Sequence, residues 1–258
     1  MIVKDKIIFV TGGANGIGRA LCERFAIEGA KKIIVADLDY KNAQSVANEI
    51  DGKAIRLDVS DEAQVKTAVE EVLQEFGRID FVCSNAGIGG AEGSLEVSND
   101  VWQKIYEINV LSHVYLARTV FPAMIERGGA FMITASAAGL LTHPIATPYA
   151  VSKHAAVALA ENLAIEFYEQ GIYVSCLCPQ GVKTALIRSA EGEPENFLMA
   201  EAITAEDCAD AVIKGLTSEQ FLILPHAEVG QYIVNKAENY DRWLHSLRKM
   251  RKVILANN

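Results

Sequence analysis

The chain has 258 residues, of which 50% are hydrophobic and 22% are charged, and this is the composition of a folded globular protein. Its formal net charge of −9 argues against nucleic acid as a main partner, because nucleic-acid-binding surfaces are basic. No apolar run reaches the roughly 18 residues of a membrane span, and we expect neither a membrane protein nor a signal peptide. The five cysteines are scattered in apolar contexts, which predicts buried reduced thiols, no metal site and a cytoplasmic protein.

A glycine-rich turn lies between the first predicted strand and the first predicted helix. The apolar run 6–10 predicts a strand buried on both faces, and residues 19–26 carry apolar side chains at helical spacing. Glycines in such a turn allow the backbone to approach a pyrophosphate, and the helix N-terminus supplies free N–H groups. The spacing is G-x-x-x-G-x-G rather than G-x-G-x-x-G, so the prediction depends on the position of the turn between strand and helix. The residues that we expect to contact a dinucleotide here are Gly12, Asn15, Gly16, Ile17 and Gly18.

The second predicted strand, 32–36, is followed by Asp37, which lies 19 residues after Gly18 (37 − 18). An acidic residue about 20 residues beyond the turn is where the hydroxyls of an adenosine ribose are bound. A carboxylate there also repels a 2′-phosphate, and no Lys or Arg occurs within the turn to bind one. The sequence therefore favours NAD over NADP. The alternative is that Asp37 is an ordinary loop residue, like the nearby Asp39 and Asp51.

Five further strands alternate with helices along the chain. Alternation of this kind predicts α/β architecture, with about seven parallel strands in one doubly wound sheet and helices on both faces. Because no linker or repeat divides the sequence, we expect a single Rossmann-type domain over 1–258. The stretch 185–204 lacks periodicity, which indicates either a substrate loop or an ordinary irregular connection. The five further strands are predicted at 53–57, 79–83, 129–134, 172–177 and 221–224.

Tyr149 and Lys153 are four positions apart, so they share one face if the segment is helical. A free phenol has a pKa near ~10, and a neighbouring ammonium favours the phenolate and lowers that pKa. Tyr149 could then exchange a proton with an alcohol or carbonyl oxygen near neutral pH. Ser136, which ends an apolar run, could hydrogen-bond the same oxygen. The alternative is a surface Tyr and a surface Lys on an ordinary helix.

Four motifs in fixed order resemble the short-chain dehydrogenase/reductase family from Lys6 to Thr184. Residues 11–18 resemble its T-G-x-x-x-G-x-G turn, and 84–87 resemble its N-N-A-G motif, with Ser84 in place of the first Asn. Tyr149-x-x-x-Lys153, with Ser136 thirteen residues earlier (149 − 136), resembles its catalytic signature, and Asn109 falls where the family has its fourth catalytic residue. The resemblance implies hydride transfer between nicotinamide C4 and a carbon that bears oxygen, with a small-molecule alcohol or ketone as substrate. It also implies a homodimer or homotetramer.

The resemblance assigns a role to each matching residue. Tyr149 would be the general acid/base, Lys153 would lower its pKa and bind the nicotinamide ribose, and Ser136 would orient the substrate oxygen. Asn109 would hold a water that links Lys153 to solvent. The remaining cofactor contacts implied are Asp37 and Leu38 at the adenosine ribose, Asp58 and Val59 at the adenine, Asn85, Ala86 and Gly87 beside them, and Pro179, Val182 and Thr184 at the nicotinamide.

Two departures from the family pattern concern the substrate side. Gln180 stands where the family usually has Gly, and Pro225-His226 opens a C-terminal segment unlike the family's usual Gly-rich end. A basic amphipathic helix is predicted at about 227–252. It would pack on its own domain or a neighbouring subunit, or it would lie on a membrane or clamp a partner. The substrate contacts expected are Ser136, Ala138, His143, Tyr149, Gln180 and Leu186.

The leading interpretation is an NAD-dependent oxidoreductase that acts on a largely apolar secondary alcohol or ketone, cyclic or steroid-like. A second interpretation is an NAD-binding sensor or scaffold protein without significant turnover. A third is an epimerase or dehydratase on the same fold, which would act without net change in NADH.

Overall fold

The structure, a computed structural model, describes residues 1–89, 92–125, 127–185, 199 and 201–257. Its centre is a seven-stranded parallel sheet in the order β3-β2-β1-β4-β5-β6-β7. The predicted doubly wound α/β architecture is confirmed, and all seven predicted strands are present. The strands are β1 (Ile7–Thr11), β2 (Lys32–Asp37), β3 (Lys53–Arg56), β4 (Phe81–Ser84), β5 (Gly129–Thr134), β6 (Ile172–Leu177) and β7 (Leu222–Ile223).

Local sequence signals determine where many of the helices begin and end. Asp61 caps α3 by accepting hydrogen bonds from the Ala63 and Gln64 N–H groups, and Gly77 ends the helix at a φ of 73°. Thr204 and Asp207 form a capping box at the start of α8. The helices are α1 (Gly16–Ile27), α2 (Tyr40–Glu49), α3 (Glu62–Phe76), α4 (Asn99–Tyr106), a π turn (Glu107–Leu111), α5 (Ser112–Ile125), α6 (Ala138–Leu141), α7 (Thr147–Glu166), a 3₁₀ turn (Tyr168–Gln170), α8 (Ala205–Thr217), α9 (Glu228–Glu238) and α10 (Tyr240–Asn257).

Each face of the sheet carries a hydrophobic core. Helices α3, α5 and α7 pack on one face, where Phe121 meets Phe131 edge to face at 5.2 Å between ring centroids. Helices α1, α2 and α8 pack on the other, where Phe25 meets Phe81 at 5.6 Å. Because both faces are covered, the strands are almost wholly apolar, which is why they could be recognised in the sequence.

The predicted C-terminal helix is two helices rather than one. The helix is interrupted at Asn239, whose backbone is extended (φ −149°, ψ 89°). The Asn239 side chain accepts a hydrogen bond from the Arg242 N–H at 2.9 Å. An Asn in this role stops one helix and caps the next. The pair packs on its own domain, where Val229, Tyr232, Ile233 and Trp243 contact Ala137 and Leu141.

One helical run is long and apolar enough to cross a membrane by length and composition. It extends from Asn99 to Ile125 with a mean hydropathy of 1.2, and half of it is buried within the protein. Its α5 part lies in the core against the sheet, as the contacts of Leu116, Val120 and Phe121 show. All five cysteines are buried and unbridged, as the sequence predicts.

Candidate active site

The residues of the predicted catalytic group meet at the carboxyl edge of the sheet. Ser136 follows β5, Tyr149 and Lys153 lie on the first turns of α7, and Asn109 lies in the π turn. The Lys153 Nζ is 5.8 Å from the centroid of the Tyr149 ring and donates to the Thr134 carbonyl at 3.0 Å. Pro148 at the start of α7 fixes where this helix begins, so both side chains project into the same site.

Tyr149 lies in a buried environment beside Ser136. Burial raises the pKa of the Tyr149 phenol above its ordinary value, and a hydrogen bond with the Ser136 hydroxyl counteracts part of that rise. The sequence predicts a lowered pKa, and in this respect the prediction is wrong for the structure. The reason is that the spacing of Tyr149 and Lys153 does not reveal how far the surrounding protein shields the phenol from water.

Lys153 is almost completely buried, with 4% of its surface exposed. Burial lowers the pKa of its ammonium group to about 8, because a charged group is poorly solvated there. A lysine with this pKa can gain or lose a proton close to neutral pH. Gly87 makes room for it, since a Cβ atom at Gly87 would lie 3.3 Å from both the Lys153 Nζ and the Asn109 Oδ1.

The Asn109 side chain is fully engaged by neighbouring groups. Its Oδ1 accepts from the Ile88 N–H at 2.9 Å, and its Nδ2 donates to the Ile88 carbonyl and the Ser152 hydroxyl, each at 3.1 Å. These bonds join the loop after β4 to α7. The Asn109 amide therefore positions the wall of the site, and its predicted role in holding a water stays a prediction.

The glycine-rich turn has the shape that a dinucleotide requires. Gly12 and Gly16 have φ values of +64° and +52°, and a Cβ atom on Gly18 would lie 2.0 Å from the Gly12 carbonyl oxygen. Asn15 precedes α1 and makes no side-chain capping bond, and Ile17 lies in the first turn of that helix. No side chain caps this helix start, which is where the sequence predicts that N–H groups bind a pyrophosphate.

Asp37 lies at the carboxyl end of β2, next to the turn. Its Oδ2 accepts from the Ala14 N–H at 3.0 Å and its Oδ1 from the Asp39 N–H at 2.9 Å. Leu38 beside it is 60% exposed. A groove of about 470 Å³ opens here and is lined by Leu38, Asp58, Ser60, Asp100, Gln103, Lys104, Glu107 and Ile108. Val59 is buried in the core, so its predicted contact would have to be made by its backbone.

The segment after β4 forms the next wall. The Asn85 and Ala86 N–H groups donate to the Thr11 hydroxyl at 2.9 and 3.1 Å, and the Asn85 amide donates to the Thr11 carbonyl at 3.1 Å. These bonds hold residues 85–87 against the start of the glycine-rich turn.

The segment after β6 closes the site on the side where the sequence predicts the nicotinamide contacts. The Pro179 carbonyl accepts from the Ala137 N–H at 2.8 Å, and Val182 is buried and pairs with Ile203. The Thr184 Cγ2 is 2.9 Å from where a Cβ atom on Gly16 would stand. The segment from Pro179 to Thr184 therefore extends from Ser136 to the glycine-rich turn.

Four of the six predicted substrate residues lie together, namely Ser136, Ala138, His143 and Tyr149. The Ala138 N–H donates to the Ser136 hydroxyl at 3.1 Å, and the His143 ring stands edge to face with Tyr149 at 6.3 Å between centroids. Burial lowers the pKa of His143 to about 4. Gln180 follows Pro179 at the same edge of the sheet. Leu186, with most of the predicted substrate loop 185–204, lies outside the described residues.

Two histidines in this region were not predicted to have a role. The Nδ1 of His113 is 2.6 Å from the Ser84 hydroxyl, and the Nδ1 of His226 accepts from the Gln180 N–H at 3.2 Å. The position of His113, one helical turn after Asn109, is a signal for the first. No local signal identifies the second, because His226 and Gln180 are 46 residues apart.

Known proteins resemble this chain over most of its length. A sequence model of the family described as short chain dehydrogenase matches residues 6–195. The 1-deoxy-11-beta-hydroxypentalenate dehydrogenase of Streptomyces exfoliatus is 32% identical over 254 residues, which covers 95% of this chain and 91% of that protein. The 3beta-hydroxysteroid dehydrogenase of Mediterraneibacter gnavus is 32% identical over 208 residues, covering 79% and 75%. A crystal structure of a short chain dehydrogenase/reductase from Burkholderia phymatum in complex with NAD matches with a TM-score of 0.84 at 26% identity, covering 93% of this chain and 96% of that one.

The chain belongs to the short-chain dehydrogenase/reductase family, as its sequence motifs and parallel sheet predict. It is an oxidoreductase with a Rossmann-type fold. Members of this family act on small-molecule substrates and are usually oligomeric.

Proposed function

We propose that this protein is an NAD-dependent dehydrogenase of secondary alcohols, or the corresponding ketone reductase. One observation carries the proposal. Tyr149 lies beside Ser136 and the buried Lys153, in a site bordered by the glycine-rich turn. The nicotinamide supplies the redox chemistry by accepting or donating a hydride. Tyr149 exchanges a proton with the substrate oxygen, Ser136 orients that oxygen, and Lys153 binds the nicotinamide ribose.

The preference for NAD rests on Asp37. Its carboxylate stands at the end of β2, where the adenosine ribose is bound in this family, and it would repel a 2′-phosphate by like charge. Leu38 next to it supplies no positive charge that could offset this repulsion. The neighbour crystallised with NAD supports the same assignment.

The proposed substrate is a largely apolar, cyclic secondary alcohol. Two relatives at about one-third identity are named as dehydrogenases of a hydroxypentalenate and of a hydroxysteroid. The residues near Tyr149 and Ser136 agree with an apolar skeleton, since Ala138, Leu141 and Ile145 are all apolar and buried. Leu186 stays a predicted substrate contact outside the described residues.

The proposed assembly is a homodimer or homotetramer in the cytoplasm. An apolar groove on the outer surface of α5 and α7 contains mainly hydrophobic side chains and few charges, and is a candidate for a subunit interface. The buried reduced thiols support a cytoplasmic location. The groove is lined by Val114, Ala117, Arg118, Phe121, Pro122, Ile125, Leu159, Leu163, Glu166 and Phe167.

The first experiment measures NADH absorbance with NAD, and then with NADP, against a panel of aliphatic, cyclic and steroid secondary alcohols. Tyr149→Phe is the matched variant, because it removes the hydroxyl and leaves the ring. Turnover with NAD that falls at least about 10³-fold in Tyr149→Phe supports the dehydrogenase assignment. Tight NAD binding without turnover on the whole panel would favour an NAD sensor or scaffold, and conversion without net NADH would favour an epimerase or dehydratase.

A further inference from the structure

The two departures from the family pattern on the substrate side contact each other. Gln180 follows β6, His226 follows β7, and these are adjacent parallel strands. The Gln180 N–H donates to the Nδ1 of His226 at 3.2 Å. Because the carboxyl ends of neighbouring parallel strands meet at one edge of the sheet, both residues lie at the edge where Ser136 and Tyr149 lie.

Each residue presents a buried polar atom that no described residue pairs with. Because the Nδ1 of His226 accepts a hydrogen bond, the neutral ring carries its hydrogen on Nε2. This Nε2 and the Gln180 Oε1 are both buried, and within the described part of the chain neither has a hydrogen-bond partner. A buried donor and a buried acceptor left unpaired are unfavourable, and the two residues that carry them contact each other directly, so both atoms would gain from a polar partner at this place.

This pair is close to the reacting atoms. The Pro179 carbonyl accepts from the Ala137 N–H at 2.8 Å and from the Ser136 hydroxyl at 3.4 Å. Gln180 is the next residue, and consecutive Cα atoms are only about 3.8 Å apart. A molecule whose oxygen is held by Ser136 and Tyr149 is therefore close enough to place another group beside Gln180 and His226.

We propose that Gln180 and His226 bind a second hydroxyl of the substrate. A hydroxyl donates to the Gln180 Oε1 and accepts from the His226 Nε2–H at the same time, whereas a carbonyl can only accept. The inference rests on the proposed function and makes it more specific. The substrate class is a cyclic secondary alcohol that carries a second hydroxyl on an otherwise apolar skeleton.

The test compares substrates that differ in one oxygen. The probes are cyclohexanol against cyclohexane-1,4-diol, and a 3-hydroxysteroid with and without a 17-hydroxyl group, with the 17-ketone as a third member. Within the pair that shows the larger difference, we expect kcat/KM to be about tenfold or more higher for the compound with the second hydroxyl. This is the effect of one to two hydrogen bonds. For cyclohexanediol this is beyond the factor of two that its equivalent hydroxyls give. The ketone should fall between the other two steroids.

Two variants separate recognition from folding. His226→Asn keeps an acceptor for the Gln180 N–H, since the Asn Oδ1 takes the place of Nδ1, but it removes the Nε2–H donor. Gln180→Met keeps the length of the side chain and removes its polar atoms. In both variants we expect the preference for the second hydroxyl to fall towards one. An unchanged preference in either variant, or a wild-type enzyme that does not discriminate within either pair, would overturn the proposal.

A calorimetric measurement of how tightly the same probes bind to the wild-type protein with NAD separates two cases. In one, the Gln180–His226 proposal fails; in the other, the proposed function fails. Tighter binding of the hydroxylated probes without turnover would leave the polar pair in place and refute the dehydrogenase assignment. Turnover without any preference, in binding or in kcat/KM, would refute the polar pair alone.

Discussion

The Ser84 hydroxyl lies 2.6 Å from the Nδ1 of His113, and both residues are buried. Ser84 is the position at which the chain departs from the family's N-N-A-G motif, so a serine and a buried histidine together occupy this part of the site. Burial, reinforced by the nearby Lys153 charge, lowers the pKa of His113 to about 3, and the Asn109 backbone opposes this effect. The ring is therefore neutral in the folded protein at all ordinary pH values.

His113 makes the folded protein sensitive to acid. In the unfolded chain its pKa is near 6.5, so below that pH the unfolded state binds a proton that the folded state does not. Stability is thus fully present above pH 6.5 and is lost as pH falls towards 3. We expect the free energy of unfolding to fall by up to about 3 kcal/mol between pH 6.5 and 4 from this residue. Urea titrations of wild type and of Ser84→Ala/His113→Leu measure it.

The double variant removes both hydrogen-bonding partners, so neither is left alone. Its stability should depend less on pH over this range, while His245→Gln, on the exposed surface of α10, should behave as wild type. A double variant with the same acid dependence as wild type would show that other groups are responsible.

The buried ammonium of Lys153 should lower the free energy of unfolding, whereas an ammonium in a stabilising ion pair raises it. Its folded pKa of about 8 is below the ordinary 10.5, so between these values the unfolded state binds the extra proton and stability rises with pH. Lys153→Met has no such group. The stability of wild type relative to Lys153→Met should therefore rise by up to about 3 kcal/mol between pH 8 and 10.5. If the stability of the two proteins depended on pH in the same way, the conclusion that the Lys153 ammonium is buried in the folded state would be wrong.

Asp37→Asn tests the assignment of the cofactor. The change keeps the size of the side chain and an acceptor for the Ala14 N–H, but it removes the negative charge. We expect the ratio of kcat/KM for NAD to that for NADP to fall about tenfold or more, since one tenfold step corresponds to ~1.4 kcal/mol of repulsion relieved. The matched control is Asp39→Asn on the neighbouring loop. An unchanged ratio in Asp37→Asn would remove the role of this carboxylate in cofactor choice.

The C-terminal helices hold the segment between Ser136 and Tyr149. Lys236 donates to the Leu140 carbonyl at 2.6 Å, Trp243 to that of Leu141 at 3.3 Å, and Arg251 to that of Pro144 at 2.7 Å. At least two of the basic residues in this part of the chain are thus used within the domain. These donors orient the segment that carries Ala138 and His143 without reaching the reacting atoms themselves.

Loosening this segment should affect substrate binding more than the chemical step. We expect Trp243→Phe/Arg251→Met to raise KM about tenfold, from the loss of two hydrogen bonds, with kcat within about threefold of wild type. Steady-state kinetics measure both constants, and Arg248→Met, an exposed position of α10, is the control. A fall in kcat at constant KM would assign the helices to the chemistry instead.

Most of the fold could be predicted because its signals are local. Apolar runs define the strands, and Gly77 and Pro148 define helix ends through their own backbone preferences. The catalytic group was predictable because Tyr149 and Lys153 lie on one helix. The direction of the Tyr149 pKa was predicted wrongly, because burial depends on distant segments. The contact between Gln180 and His226 was missed for a similar reason, since it exists only once β6 and β7 lie side by side.

Because of the π turn at Glu107–Leu111, one continuous helix makes two sets of contacts, that of Asn109 with Ile88 and that of His113 with Ser84. The Ser112 N–H reaches back five residues to the Glu107 carbonyl, so this turn holds one residue more than a regular α-helical turn. Each residue of an α-helix turns the chain by about 100°. Deleting any one residue here would restore a regular helix and rotate either Asn109 away from Ile88 or His113 away from Ser84. In this segment chain length is therefore constrained more tightly than residue identity, and single-residue deletions should be far less tolerated than conservative substitutions.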